Sequence, residues 1–169
     1  MPTEQQRLEY LQALGIDAWI SRRKSRKSEL DLSEVAVTAG SSMPDWELLR
    51  SAVASCTGCL LHEHRTQTVF GVGNLNADWM IIGEAPGAEE DRRGEPFVGR
   101  AGKLLDEMLR AVGLDRSTAF ITNILKCRPP NNRDPARDET VACRSYLEGQ
   151  IELVKPRLIL AVGRIAAQA

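Results

Sequence analysis

Three short, largely apolar runs constrain this chain more than any other feature. Trp79-Met80-Ile81-Ile82, Phe120-Ile121-Thr122-Asn123-Ile124-Leu125 and Leu158-Ile159-Leu160-Ala161-Val162 have the length of strands. Near-continuous apolar strands of this kind are buried on both faces. Between them the periodicity changes to that of helices. Leu104, Leu105, Met108, Leu109 and Val112 form one stripe, with Gly113 placed to stop it, and Val141, Leu147, Ile151 and Val154 mark another. Trp46, Leu48, Leu49, Val53 and Ala54 suit a further helix ahead of the first strand. Strands alternating with helices require right-handed crossovers, which predicts an α/β three-layer sandwich: a mainly parallel central sheet flanked by helices. The segment after Val162 reads as the opening of another crossover helix, so one or more further strands are expected beyond Ala169.

In such sheets ligands bind at the carboxyl ends of the strands. Gly83-Glu84, Asn123 and Gly163-Arg164 all fall there. The run Gly83-Glu84-Ala85-Pro86-Gly87-Ala88-Glu89-Glu90-Asp91 reads as a tight turn leading into an acidic loop. It lacks the Lys-Ser/Thr pair of a phosphate cradle, and its charge would repel phosphate. A carboxylate at a strand end can orient a water or stabilise a cationic transition state, the other reading being an acidic surface loop. Phe97, set between glycines and prolines, suits a stacking platform for a flat ligand, or a cap on the core. Arg92, Arg93, Arg100 and Lys103 are placed to meet phosphates. The Asn123 amide matches the donor–acceptor edge of a pyrimidine, although a strand-end asparagine can also simply cap a turn.

Cys56 and Cys59 form a two-thiolate knuckle, whereas Cys127 and Cys143 lie apart, straddling a strand and the following helix. Zinc ribbons carry two knuckles; a [4Fe–4S] cluster accepts scattered thiolates. Cluster, zinc and unliganded core cysteines all stay open on this spacing. His62 and His64 follow the knuckle, either completing a mixed ligand set or standing exposed on a loop.

Residues 1–44 differ from the rest. Leu8, Leu11, Leu14, Trp19 and Ile20 hint at a short amphipathic helix interrupted by Gly15, and Arg22-Arg23-Lys24-Ser25-Arg26-Lys27 follows. We read 1–44 as an arm and basic linker, docking to a protein partner or simply solvated, and 45–169 as the folded domain. A net charge of −1 excludes bulk attraction to nucleic acid, so any DNA contact needs a local basic surface. Nothing in the sequence has the form of a membrane span or a signal peptide, which points to the cytoplasm, where four cysteines more often bind metal than pair.

GEAPGAEEDRRGEPFVGRAGKLLDEML, ITNILKCRPPNNRDP and the order of the four cysteines together resemble the family 4 uracil-DNA glycosylases of bacteria and archaea, over roughly residues 45–169. The resemblance implies a DNA repair enzyme, acting as a monomer, that flips uracil out of DNA and hydrolyses its N-glycosidic bond. It implies a structural [4Fe–4S] cluster on Cys56, Cys59, Cys127 and Cys143. It places uracil on Phe97 with its edge read by Asn123, and makes Glu84, Glu90 and Asn123 the catalytic candidates. Gly83, Ala85, Pro86 and Gly87 would complete the substrate-binding wall. Ala85 stands where the best-known family of the superfamily carries a water-positioning Asp. The family's late His-Pro-Ser segment would lie beyond Ala169, and neither His62 nor His64 matches it. Arg128-Pro129-Pro130-Asn131-Asn132-Arg133 replaces the Arg-Arg-Ile-His insertion of a covalent-trapping branch. The competing readings are a non-catalytic module that keeps cluster and pocket for DNA binding or partner docking, and a zinc-stapled interaction domain.

Overall fold

A computed structural model describes residues 46–168, so the arm read over 1–44 lies outside the described residues. The chain runs through helix α1 (Trp46–Ala54), a 3-10 turn (Leu60–Glu63), strands β1 (Val72–Gly73) and β2 (Trp79–Gly83), and helices α2 (Ala88–Arg93) and α3 (Arg100–Ala111). It continues through β3 (Ala119–Asn123), a second 3-10 turn (Pro130–Asn132), α4 (Arg137–Val154), β4 (Leu158–Ala161) and α5 (Arg164–Gln168). The strands form one sheet in the order β1-β3-β2-β4. β2 runs parallel to both β3 and β4, while β1 is an antiparallel edge on β3. The three-layer α/β architecture with a mainly parallel sheet is thus as the alternating runs require.

The pleat explains why the apolar runs are continuous. Met80, Ile82 and Phe120 point to one face, where they meet Leu61, Val154 and the flanking Trp46, Leu147 and Ile151. Ile81, Ala119 and Ile121 point to the other, against Leu105 and Leu109 of α3. Every strand residue of β3 is buried. Trp46 ties α1 to the sheet, its ring 5.7 Å from that of Phe70 and 5.3 Å from that of Phe120. No helix among the described residues is long and apolar enough to cross a membrane.

Three local expectations need correction. The acidic segment from Ala88 to Arg93 is a helix, not a loop. Glu89, Glu90 and Asp91 occupy its first turn, where the exposed N–H groups favour negative charge. The stripe on α3 divides: Leu105 and Leu109 are buried, but Leu104, Met108 and Val112 face outward, as does Val141 on α4. The third apolar run is not buried on both faces: Leu158 and Ile159 of β4 are exposed, and Leu160 and Ala161 half-buried. In addition β1, two residues long, is too short to leave any periodic signal.

Candidate functional site

The parallel register sets Gly83 opposite Asn123 at the carboxyl ends of β2 and β3. A Cβ on Gly83 would lie 2.4 Å from Asn123 Oδ1 and 2.4 Å from Phe97 Cζ, so only glycine lets amide and ring close over the strand end. Beyond the strands the two chains stay joined: Ile124 N–H donates to the Gly83 carbonyl (2.9 Å) and Leu125 N–H to that of Glu84 (3.1 Å). A cavity of about 290 Å³ opens there, lined by Glu84, Ala85, Gly87, Glu90, Phe97 and Asn123, with Val162 from the end of β4 and Ala101 from α3. Three strand ends therefore converge on one hollow. Pro86 is buried beside it and is not among the lining residues. A larger hollow of about 570 Å³, at the end of α3, includes none of these side chains.

Of the four carboxylates expected at the opening, two reach the cavity. Asp91 is buried, accepting the Thr66 N–H at 2.9 Å and so fastening α2 to the segment before β1. Glu89 pairs with Arg92 at the surface. Glu90 lines the cavity, but its Oε1 already accepts N–H bonds from Val98 (2.9 Å) and Gly99 (3.0 Å). Burial raises the pKa of the Glu84 carboxyl above its ordinary value, the Asp134 charge adds to this, and Arg164 opposes it. Arg93, Arg100 and Lys103 are exposed. Phe97 has φ 54°, a left-handed conformation that costs a residue with a bulky side chain roughly 1–3 kcal/mol and recurs at ligand clamps.

Beneath Asn123 lies a polar network that sequence reading did not find. Lys126, 1% exposed, donates from Nζ to the Asn123 carbonyl, the Thr122 hydroxyl and Gln150 Oε1, each at 2.7 Å. Gln150 Nε2 in turn donates to the Phe70 carbonyl at 2.7 Å. Burial pushes the Lys126 pKa down to about 7, while three acceptors around one nitrogen favour the ammonium, which alone supplies three N–H groups. In the sequence, nothing distinguishes Lys126 from a surface lysine.

The four cysteines are free. Cys56 and Cys59 follow α1, Cys127 follows β3, and Cys143 sits on the buried side of α4. Cys127 and Cys143 belong to one buried cluster, and Cys59 packs against it. Three donors point at their sulfurs: Gly58 N–H to Cys56 (3.4 Å), Lys126 N–H to Cys143 (3.3 Å) and Arg65 Nη1 to Cys127 (3.0 Å). Burial pushes the Cys143 thiol up to about 11 and raises Cys127 as well. Among the described residues no group of three or more His, Cys, Asp or Glu side chains is already arranged as a metal-binding set. His62 Nδ1 lies 2.8 Å from the Cys59 carbonyl, which turns it to the backbone, and His64 is exposed.

Residues 70–169 match the sequence profile of the uracil DNA glycosylase superfamily. The type-4 uracil-DNA glycosylase of Archaeoglobus fulgidus is 54% identical over 116 residues, covering 69% of this chain and 58% of that protein. That of Thermotoga maritima is 49% identical over 120 residues, covering 71% and 62%. The type-5 uracil-DNA glycosylase of Thermus thermophilus is 33% identical over 116 residues, covering 60% and 52%. The chain spans less than two thirds of the length of each of these relatives. With the profile covering more than half of its residues, the chain belongs to the uracil DNA glycosylase superfamily, and within it to the type-4 family.

Proposed function

We propose that the cavity at the ends of β2, β3 and β4 receives a uracil flipped out of DNA, and that the protein hydrolyses its N-glycosidic bond in cytoplasmic DNA repair. The observation that carries this reading is the convergence of Phe97, Asn123 and Glu84 on one hollow of about 290 Å³. A planar ring stacks on Phe97, and the Asn123 amide offers a donor and an acceptor to the pyrimidine edge. Extrusion is required because the sugar–base bond is out of reach within the stack. Cleavage leaves charge of opposite sign on base and sugar. Amide and backbone donors at the base edge stabilise the departing uracil anion, and Glu84 faces the developing cation. The Glu90 carboxylate, committed to Val98 and Gly99, serves by holding the Phe97 loop. Water adds at C1′ and uracil takes up a proton. A uracil-containing oligonucleotide incubated with the protein should break at the uracil position after alkali, and a cytosine-containing control should not. No scission of the uracil strand would overturn the reading.

The raised Glu84 pKa gives this activity a distinctive acid limb. If ionised Glu84 is the active form, uracil release falls as pH drops through a value above the ordinary carboxylate range. Asp134→Asn removes a charge that raises Glu84 and should move the limb to lower pH; Arg164→Gln should move it the other way. Glu84→Gln should lose the limb altogether. A limb that ignores all three substitutions would show that another group titrates.

The cysteine quartet fits a [4Fe–4S] cluster by its donor set. Four free thiols lie near one another, and three N–H donors aim at sulfur, as cluster sulfurs require. Cys56, Cys59, Cys127 and Cys143 would hold it, joining α1, the end of β3 and α4. The cluster would supply a covalent staple there rather than redox chemistry. Cys143→Ser should cost bound iron, the visible absorbance of the protein and its solubility before any change in chemistry is measurable. Full iron content in the folded variant would remove Cys143 from the ligand set.

A further inference from the structure

Phe97 is held in its left-handed backbone by Glu90, which lines the cavity, and by Arg116, which does not. Arg116 lies in the turn before β3, far along the chain from the Phe97 loop. Its Nη1 donates to the Pro96 carbonyl at 3.0 Å and its Nη2 to the Phe97 carbonyl, while Nε is fixed on Asp106 Oδ1 of α3 at 2.6 Å. From the other side Glu90 accepts the N–H groups of Val98 and Gly99. The three consecutive peptide units that join residues 96–99 are thus gripped by one cation and one anion. Gly102 makes room for this: a Cβ there would lie 1.7 Å from the Phe97 carbonyl oxygen. Arg116 itself lines the larger hollow beside α3 and is about 29% exposed, so it is reachable from solvent without passing through the base cavity.

We propose that Arg116 is a positioning residue of the base site: its guanidinium, anchored on Asp106, sets the plane of the Phe97 ring by fixing the carbonyls of Pro96 and Phe97. The inference rests on the reading of Phe97 as the platform for a flipped base. A fork is needed because three N–H groups are used in fixed directions, which a lysine point charge cannot reproduce. Arg116 acts through Phe97 and touches no part of the substrate.

Two measurements on Arg116→Ala and Arg116→Lys separate this proposal from the function it rests on. Hydrogen exchange reports the clamp alone: the Phe97–Gly99 amides should exchange at least tenfold faster in both variants, with β2 and β3 unchanged. Single-turnover uracil release reports its use, with an expected fall of about 10- to 100-fold for Arg116→Ala and nearly as much for Arg116→Lys, while affinity for abasic-site DNA stays within about threefold. Low-millimolar ethylguanidinium should restore part of the rate to Arg116→Ala and none to Arg116→Lys. Asp106→Asn, which loosens the anchor but keeps the fork, should show the same pattern more weakly. Unchanged exchange would overturn the proposal, as would faster exchange with a full rate of uracil release. Equal losses of rate and abasic-DNA affinity without guanidinium rescue would reduce Arg116 to a general structural residue. Absence of uracil release from the unsubstituted protein, with the exchange effect intact, would instead sink the proposed function and leave the clamp standing.

Discussion

Asn123→Ala is expected to slow uracil release about 100- to 1,000-fold while changing affinity for abasic-site DNA less than about threefold. The asymmetry follows from where the side chain sits. Asn123 is 2% exposed at the end of β3, and its amide lines the cavity beside Phe97 rather than any outer surface. An abasic product has no base to place there, so the amide adds little to its binding. During cleavage the departing base gains negative charge, and a donor already aimed at its edge strengthens with no reorganisation. Asn123→Asp sharpens the test because size and shape are kept while the donor becomes an acceptor bearing charge. It should release uracil no faster than the alanine variant. Stopped single-turnover kinetics paired with equilibrium binding to abasic DNA would measure both quantities. Equal losses in the two assays would show that Asn123 does not read the base.

Much of this arrangement was legible in the sequence because it depends on local rules. Strands β2 and β3 announce themselves as short apolar runs, since each is buried on two faces and has no wet side to imprint alternation, and β4 is equally apolar although Leu158 and Ile159 stay exposed. Once the strands are placed, their carboxyl ends follow, and Glu84 and Asn123 come with them, although at the third strand end Val162 lines the cavity in place of the expected Gly163-Arg164. What was not legible depends on partners distant in the chain. Nothing near Arg116 marks it as a ligand of the Pro96 and Phe97 carbonyls, twenty and nineteen positions away. Asp91 and Glu89 are neighbours of identical charge type, yet one is buried on the Thr66 amide and the other lies in an exposed ion pair. Helix α2 was hidden for a related reason: a run of acids after Gly-Pro-type turn residues looks like a solvated loop, and only the docking of Asp91 shows that its first turn is needed. Leu104, Met108 and Val112 failed in the opposite sense, being apolar and periodic yet outward-facing.

The buried lysine is the sharpest instance, and it carries the largest expected loss of stability. Lys126 stands three residues before Pro129-Pro130, between Leu125 and Cys127, and nothing in the sequence around it signals burial. The structure instead encloses it fully, with Nζ at 2.7 Å from each of three acceptors. Lys126→Ala should cost about 3–5 kcal/mol: the stem leaves a cavity, and three acceptors lose their donor in a dry interior at about 1–3 kcal/mol each before relaxation. Against a total stability of roughly 5–15 kcal/mol that is enough to unfold much of the population near physiological temperature. Lys126→Met fills the stem volume but supplies no donor, and should cost about 2–3 kcal/mol. Because Gln150 Oε1 is then left with only the Thr122 hydroxyl as a donor, at 3.1 Å, adding Gln150→Leu to Lys126→Met should cost less than the sum of the single losses, by about 1 kcal/mol. Denaturant midpoints across this cycle measure the coupling directly. Strict additivity would mean that the ammonium and the Gln150 amide stabilise the protein independently. The same variants also test what the lysine does for the site above it. Its bond to the Asn123 carbonyl fixes the backbone from which the base-reading amide projects. Uracil release by the surviving folded Lys126→Met protein should therefore fall further than its folded fraction accounts for.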